Sequence, residues 1–332
     1  MTSPWPRARL HVVTGKGGTG KSTVAAALAL ALASHGKQVL LCEVEGRQGI
    51  ARMFDVDPLP YAETRIATGL RDERGPGSVH ALNIDPEAAL LEYLAMYYRL
   101  GRAGKALEKF GVVEFATTIA PGVRDVLLTG KVYEAVHRNA RNRGATEYDA
   151  VVLDAPPTGR ISQFLGVSDE VAGLAKVGPV KKQADQMMSL FRSPRTAVHL
   201  VTVLEEMPVQ ETADGIAELR RHGLPVGGVV VNQVRPHDVS DDDLALALAG
   251  RLDKEALGRE LEHAGVRPTK VLLDGLASEA RDHAERRALE DAQREVVADL
   301  DVPVAELGRL PGGVDLGALY ELAADLRGQG FA

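Results

Sequence analysis

Gly15-Lys16-Gly17-Gly18-Thr19-Gly20-Lys21-Ser22-Thr23 decides how this 332-residue chain is read. From Gly15 to Ser22 it fits the spacing G-x-x-x-x-G-K-[ST], a loop that holds phosphate between a strand and a helix. Both flanks are present. Leu10-His11-Val12-Val13 reads as a short buried strand, and Thr23 to Ala33 is an unbroken run of helix formers. Glycines let the backbone curl against phosphate oxygens, the peptide N–H groups and the helix N-terminus face the anion, and Lys21 places a cation between the β- and γ-phosphates. Ser22 offers a hydroxyl to Mg2+. The stretch predicts binding of a nucleoside triphosphate, with Gly15 through Thr23 as contacts, Lys21 in catalysis and Ser22 on the metal.

Further strands follow outward from this loop. Lys37 to Val44 (KQVLLCEV) is apolar, and in a parallel, doubly wound sheet its end lies beside the phosphate loop. Glu43 and Glu45 stand there, ahead of a Gly46-Arg47-Gln48-Gly49 loop that could close on the γ-phosphate. Glu45 is the stronger candidate for the metal and Glu43 the weaker; strand-end carboxylates are often only solvated. Tyr148 to Asp154 (YDAVVLD) ends in a carboxylate, the Walker B arrangement, in which Asp154 holds Mg2+ through water. Pro225 to Asn232 (PVGGVVVN) ends in an amide that can read adenine by donating and accepting together, the plainer reading being a turn residue.

The remaining pattern alternates strand and helix. Strands are predicted at Thr64–Ala67, Val79–Ile84, Thr196–Val203 and Val302–Leu307, and helices at Pro208–His222, Ser240–Gly265, Leu272–Leu300 and Leu316–Leu326. Pro86 to Tyr98 carries Ala89, Leu90, Leu94, Tyr97 and Tyr98 at helical spacing, and Val113 to Val136 continues as helix broken at Pro121-Gly122. The expected fold is α/β: a doubly wound, mostly parallel sheet in one domain over residues 1–332, with a helical insertion subdomain over 86–145.

Composition narrows the partners. A formal charge of −7 with no Lys/Arg cluster argues against general nucleic-acid binding, which needs a basic face. Cys42 is the single cysteine, so no internal disulfide and no Cys-x-x-Cys metal site can form. Met1 to Arg9 has no apolar signal core, and Val24 to Ala33 is too short to span a bilayer, so a cytoplasmic protein is expected.

Lys16 adds a finer signal. The string Gly-Lys-Gly-Gly-x-Gly-Lys-Ser-Thr resembles the deviant Walker A of the MinD/ParA/ArsA class of dimeric ATPases. Asp154-Ala155-Pro156-Pro157-Thr158-Gly159 is similar to the switch II of the ArsA family, usually D-x-A-P-T-G. Val203 to Thr212 (VLEEMPVQET), Val229-Val230-Val231-Asn232 and Leu310-Pro311 resemble its later blocks, the last at the place of its adenine loop. The family includes arsenite-efflux pump ATPases and the eukaryotic targeting factor for tail-anchored membrane proteins, and the chain looks especially like its single-length, actinobacterial-type members.

The resemblance implies a Mg-ATP-hydrolysing dimer that opens and closes with nucleotide state, either a homodimer or a heterodimer with a paralogue. It implies that Lys16 reaches the partner's nucleotide, that Lys21, Ser22 and Asp154 hold phosphate and Mg2+, and that Asn232 and Pro311 face adenine. A hydrophobic client or a membrane protein would then bind near 86–145, placing the ATPase at the membrane through that partner. Met187, Met188, Leu190 and Phe191 could extend such a surface, core packing being the simpler role.

Two departures matter. The family's first switch usually reads D-P-x-x-x-x-x-D; aligned on Phe54, this chain has Glu45-Gly46 at the first pair and Arg52 at the second aspartate. Arginine cannot accept a proton at neutral pH, which motivates the alternative of a catalytically weak regulatory subunit in a heterodimer. Metalloid-binding cysteines are absent, so arsenite transport is not expected. A MinD-like membrane-positioning role has little support, since the last helix carries Asp315, Glu321 and Asp325 against Arg327.

Overall fold

The computed structural model describes residues 4–34, 36–46, 48–71, 75–89, 91–92, 121–138, 146–174 and 179–332. Its strands are β1 (Leu10–Gly15), β2 (Gln38–Glu43), β3 (Thr64–Thr68), β4 (Ser78–Asn83), β5 (Ala150–Asp154), β6 (Thr196–Thr202), β7 (Val226–Val234) and β8 (Val304–Gly308). They form one eight-stranded sheet in the order β3-β4-β2-β5-β1-β6-β7-β8. All neighbours pair in parallel except β3 and β4, which are antiparallel at one edge.

The central strands β1, β2, β5 and β6 are buried almost throughout because helices cover both faces of the sheet there, whereas the edge strands β3 and β8 are only partly covered. Period-two alternation divides each strand between two cores. Leu10, Val12, Leu40, Cys42 and Leu153 point to one side, and Val13, Val39, Leu41 and Val152 to the other. Helix α1 (Lys21–Leu32) is apolar all round and buried from Val24 to Leu32 between the sheet and the C-terminal helix Leu316–Gly328. After β1 the chain first builds the β5-β2-β4 side of the sheet, and only later β6, β7 and β8. The order therefore switches beside β1, and a crevice at a switch point is where open α/β sheets bind ligands.

The helices follow in chain order as α2 (Gly49–Met53), α3 (Pro121–His137), α4 (Thr158–Leu174), α5 (Pro179–Phe191), α6 (Glu206–Arg221), α7 (Asp241–Leu248), α8 (Lys254–His263), α9 (Lys270–Ala298) and α10 (Leu316–Gly328). The α/β class and the mostly parallel sheet agree with the sequence reading. Helices α4 and α5 were not anticipated, and they settle the place of Met187, Met188, Leu190 and Phe191: all four are buried in the main core rather than on a client-facing surface. The single helix expected over Ser240–Gly265 is two. Gly250 takes the left-handed conformation just past α7, with φ 66°, and the Asp253 side chain then caps α8 by accepting from Glu255 and Ala256 N–H groups.

Within 86–145, residues 86–89 and 91–92 are helical; Leu90, Leu94, Tyr97 and Tyr98 lie outside the described residues. Helix α3 packs Leu128, Val132, Ala135 and Val136 into the core on one side of the sheet. Among the described residues no helix is long and apolar enough to cross a membrane.

Two buried histidines on neighbouring strands meet in the core. His11 Nδ1 lies 3.0 Å from His199 Nε2 and the rings stack, with Trp5 and Phe331 against His199. One ring supplies the N–H and the other the lone pair, so the contact requires at least one neutral imidazole. Burial lowers His11 from the ordinary 6.5 to about 4, and lowers His199 well below its usual value. Because both folded values are depressed, the unfolded chain takes up protons first as pH falls. The pair's contribution to stability is complete above pH 6.5 and is lost toward pH 4. Proton NMR should show two imidazoles holding the neutral shift down to about pH 5, and urea melts should lose about 2 kcal/mol per histidine, about 4 for the pair, between pH 7 and 5.

Candidate nucleotide site

The loop of residues 16–20 leaves β1 at the switch point and enters α1 through Gly20, at φ 89°. No side chain caps α1 and its first turn has no acidic residue, which leaves the leading N–H groups and the positive end of the helix dipole for an anion. The glycines serve two purposes. At Gly15 (φ 155°) a Cβ would lie 2.2 Å from the Val201 carbonyl oxygen, and at Gly20 it would lie 2.3 Å from Asn232 Nδ2. Those positions are closed by the protein itself. At Gly17 and Gly18 an added Cβ would meet nothing within 4 Å, so the cradle there is open to a ligand.

Ser22 Oγ donates to Asp154 Oδ2 at 2.5 Å, joining the start of α1 to the end of β5. Asp154 pairs in register with Glu43 at the end of β2, and both carboxylates are buried. Glu43 Oε1 accepts from the Gly49 N–H at 3.0 Å, whereas Glu43 Oε2 and Asp154 Oδ1 have no hydrogen-bond partner in the described structure. Burial first, then the charge of Glu43, pushes the Asp154 carboxyl up to about 6, opposed by the Ser22 hydrogen bond and by Lys21. Glu43 is also raised, chiefly by burial. Two crowded carboxylates with orphaned oxygens beside a serine hydroxyl and a lysine are the donor set that a hydrated divalent cation satisfies. The residues present fit Mg2+.

Glu45, favoured from sequence, is half-exposed just beyond β2, and its charge raises both Glu43 and Asp154. The inner carboxylate beside Asp154 is Glu43, because strand register rather than sequence order sets which side chain meets β5. Thr14 Oγ1 donates to the Pro156 carbonyl at 2.7 Å, fastening the loop after β5 to β1, and the Thr158 hydroxyl beyond it is buried without a hydrogen-bond partner.

The family resemblance places Asn232 against adenine. Its Nδ2 donates to the Thr19 carbonyl at 2.9 Å, so one of its donors already ties β7 to the phosphate loop. Beside this tie a cavity of about 390 Å3 is lined by Lys16, Gly17, Gly18, Gln233, Arg235 and Arg309, among others. Pro311 is not among its lining residues; Arg309, two positions earlier, is. Gln233 adopts φ 60°, a left-handed backbone that re-aims the chain at the cavity mouth. Gln233, Arg235 and Arg309 carry no motif signal of their own, although Gln233 and Arg235 follow Asn232 by one and three positions and Arg309 precedes Pro311 by two. Lys16 Nζ forms an ion pair with Glu211 Oε1 of α6 at 2.7 Å, both side chains being about a third exposed. Arg52 is exposed on α2, and Thr23 Oγ1 lies 3.7 Å from Met53 Sδ of the same helix.

A glycine loop between a parallel strand and an uncapped helix, with lysine and serine set against a strand-end aspartate, defines the phosphate-loop nucleoside triphosphatases. The chain belongs to the anion-transporting ATPase family, whose model matches residues 8–195 and 174–259. It is 54% identical to ATPase BagA of Mycobacterium tuberculosis over 98% of this chain and 96% of that protein. It is 29% identical to the arsenical pump-driving ATPase of Escherichia coli over 78% of this chain and 45% of that one. With ATPase GET3 of Lachancea thermotolerans it shares 26% identity over 70% of this chain and 72% of that protein. The chain is accordingly an ATPase.

The two kinds of glycine predict different outcomes. Gly20→Ala places a Cβ against Asn232 at a left-handed φ and should lower stability by about 1–3 kcal/mol in denaturant melts. Gly17→Ala has room and should melt like the parent, so that any loss it shows in nucleotide titrations reports on the ligand alone.

Proposed function

We propose that this chain binds Mg-ATP along Gly15–Thr23 and hydrolyses it as one half of a dimer whose subunits open and close with nucleotide state. The observation that carries the reading is the Ser22–Asp154 hydrogen bond beneath an uncapped helix end, with orphaned carboxylate oxygens of Asp154 and Glu43 beside it. The first-turn N–H groups of α1 and the amides of Gly17 and Gly18 bind phosphate oxygens, and Lys21 neutralises charge between β and γ. Ser22 and, through water, Asp154 would hold Mg2+, with Glu45 and Glu43 on the same side. When bound, the ion neutralises charge on the β- and γ-oxygens. Among the described residues no three His, Cys, Asp or Glu side chains converge to hold an ion unaided, which suits a cation held largely by phosphate and water. The cavity beside Asn232 and Arg309 takes the base, and Pro311 closes over it from the adjoining loop.

Lys16 acts on the nucleotide of the partner subunit. Within one chain it is held by Glu211, and a half-exposed pair of this kind is worth about 0–1 kcal/mol, so dimer formation can draw it away at little cost. Glu211→Gln should therefore shift stability by less than about 1 kcal/mol. Lys16→Ala should lower turnover while leaving ATP binding to the single chain intact; a parallel loss of binding would place Lys16 on its own nucleotide instead.

The second reading is a weakly active nucleotide-binding subunit of a heterodimer, favoured by Arg52 at a position where relatives of this type carry aspartate. The carboxylates of Glu43, Glu45 and Asp154 nevertheless leave the site with bases of its own. Steady-state ATP turnover by the purified chain separates the readings. Lys21→Ala should reduce it by about a hundredfold or more, as expected for loss of a charge aimed at the transferring phosphoryl group. Mg-ATP binding by the free chain should also weaken below pH 6, where the raised Asp154 carboxyl holds a proton that the cation must displace. ATP binding without turnover, restored only by a paralogous subunit, would establish the regulatory reading.

A further inference from the structure

Residues 236–300 differ from the rest of the chain in charge. They hold sixteen Asp and Glu against nine Lys and Arg, while the remainder balances at thirty of each, so this stretch carries the whole net charge of −7. It also holds seven of the ten large apolar side chains most exposed among the described residues, with Val271 at 83% and Leu289 at 66%. Helices α7, α8 and α9 bury little themselves: within them only Ala247, Gly258, Ala284 and Val297 are fully buried.

Between α7 and α9 lies a groove of about 370 Å3, lined by Val239, Leu244, Ala247, Leu252, Leu276 and Ala280 together with Asp243, Glu279 and His283. On α9 the lining positions 276, 279, 280 and 283 follow one helical face. The first-turn acids Asp241 and Asp242 favour the N-terminus of α7 through its dipole, which explains part of the charge. That argument does not reach Glu279 and Asp282, midway along α9. None of these four has an ion-pair partner among the described residues, whereas Asp274, Glu285 and Asp291 are paired with Lys254, Arg281 and Arg287. Surplus like charge around an apolar groove destabilises an isolated lobe, and a cationic partner removes that cost.

We propose that this lobe docks an amphipathic helix of a partner protein, one with apolar anchors on one face and Lys and Arg along the flanks. The anchors enter the groove between α7 and α9, and the flanking cations meet Asp241, Asp242, Glu279 and Asp282. Nucleic acid and an anionic bilayer carry the wrong sign for this surface. Glu290, farther along α9, pairs with Arg235 at 2.8 Å and lines the nucleotide-side cavity, so the docking face and that cavity share one helix. The inference stands independently of which nucleotide reading is correct.

The test uses the full chain and a fluorescein-labelled synthetic peptide of about fourteen residues, four helical turns, with leucine at i, i+3, i+4 and i+7 and lysine elsewhere. A second peptide carries glutamate in place of lysine. Anisotropy at about 0.15 M salt should show the lysine peptide binding at least about tenfold more tightly. Ala280→Trp fills the groove without changing charge, and the exposed pair Glu279→Lys with Asp282→Lys reverses the flank. Each should weaken lysine-peptide binding about tenfold while thermal melting stays in place. Equal affinity for the two peptides, or undiminished binding by both variants, overturns the proposal. So does a sedimentation result in which Ala280→Trp dissolves a dimer, since the groove then belongs to a second copy. Should Ala280→Trp fail to fold, the charge-reversed pair decides alone.

Discussion

The burial of α1 on every side is the constraint from which the site follows. A helix apolar around its whole circumference cannot face water, so it lies between the sheet and α10. That packing aims its uncapped N-terminus at the crevice beside β1, where neighbouring strands part. The loop before it is then pressed against β6 and β7 closely enough that Gly15 and Gly20 tolerate no side chain. Asn232 completes the fit from β7 by bonding the Thr19 carbonyl. The loop's shape is thus set by the protein, leaving only Gly17 and Gly18 open toward a ligand.

Around this cradle the electrostatics are unbalanced in a way that suits a polyphosphate with its cation. Parallel strands bring β2 and β5 to an end at the same level, which sets the Glu43 and Asp154 carboxylates together in a buried place. Neither is fully satisfied by the protein; burial raises both, and the charge of Glu43 raises Asp154 further. Such a pair is costly in an isolated fold and favourable once a divalent cation arrives. Lys16, by contrast, forms a part-exposed ion pair with Glu211, an interaction worth little to stability.

The acidic lobe built by α7, α8 and α9 obeys a different logic. Its carboxylates are exposed, and many form short local pairs worth little individually. Their combined field, rather than any single contact, distinguishes this surface from the balanced remainder of the chain. Arg235 and Glu290 connect the lobe to the nucleotide-side cavity.

By itself the sequence determined the phosphate loop, its flanking strand and helix, the α/β class and the strand-end Asp154, because each depends on local spacing and on residue chemistry legible over a dozen positions. Only tertiary structure decided that Glu43 rather than Glu45 is the inner neighbour of Asp154, that Asn232 bonds the loop, and that Gln233, Arg235 and Arg309 line the cavity. Those relations come from strand register and from segments hundreds of residues apart meeting at one edge of the sheet. The same holds for Met187 and its neighbours on α5, whose spacing suits a surface as well as a core until that helix packs into the core beside α3 and α4. Period and composition say what a side chain prefers; which partner it meets depends on how the strands are ordered, and that order is written nowhere locally.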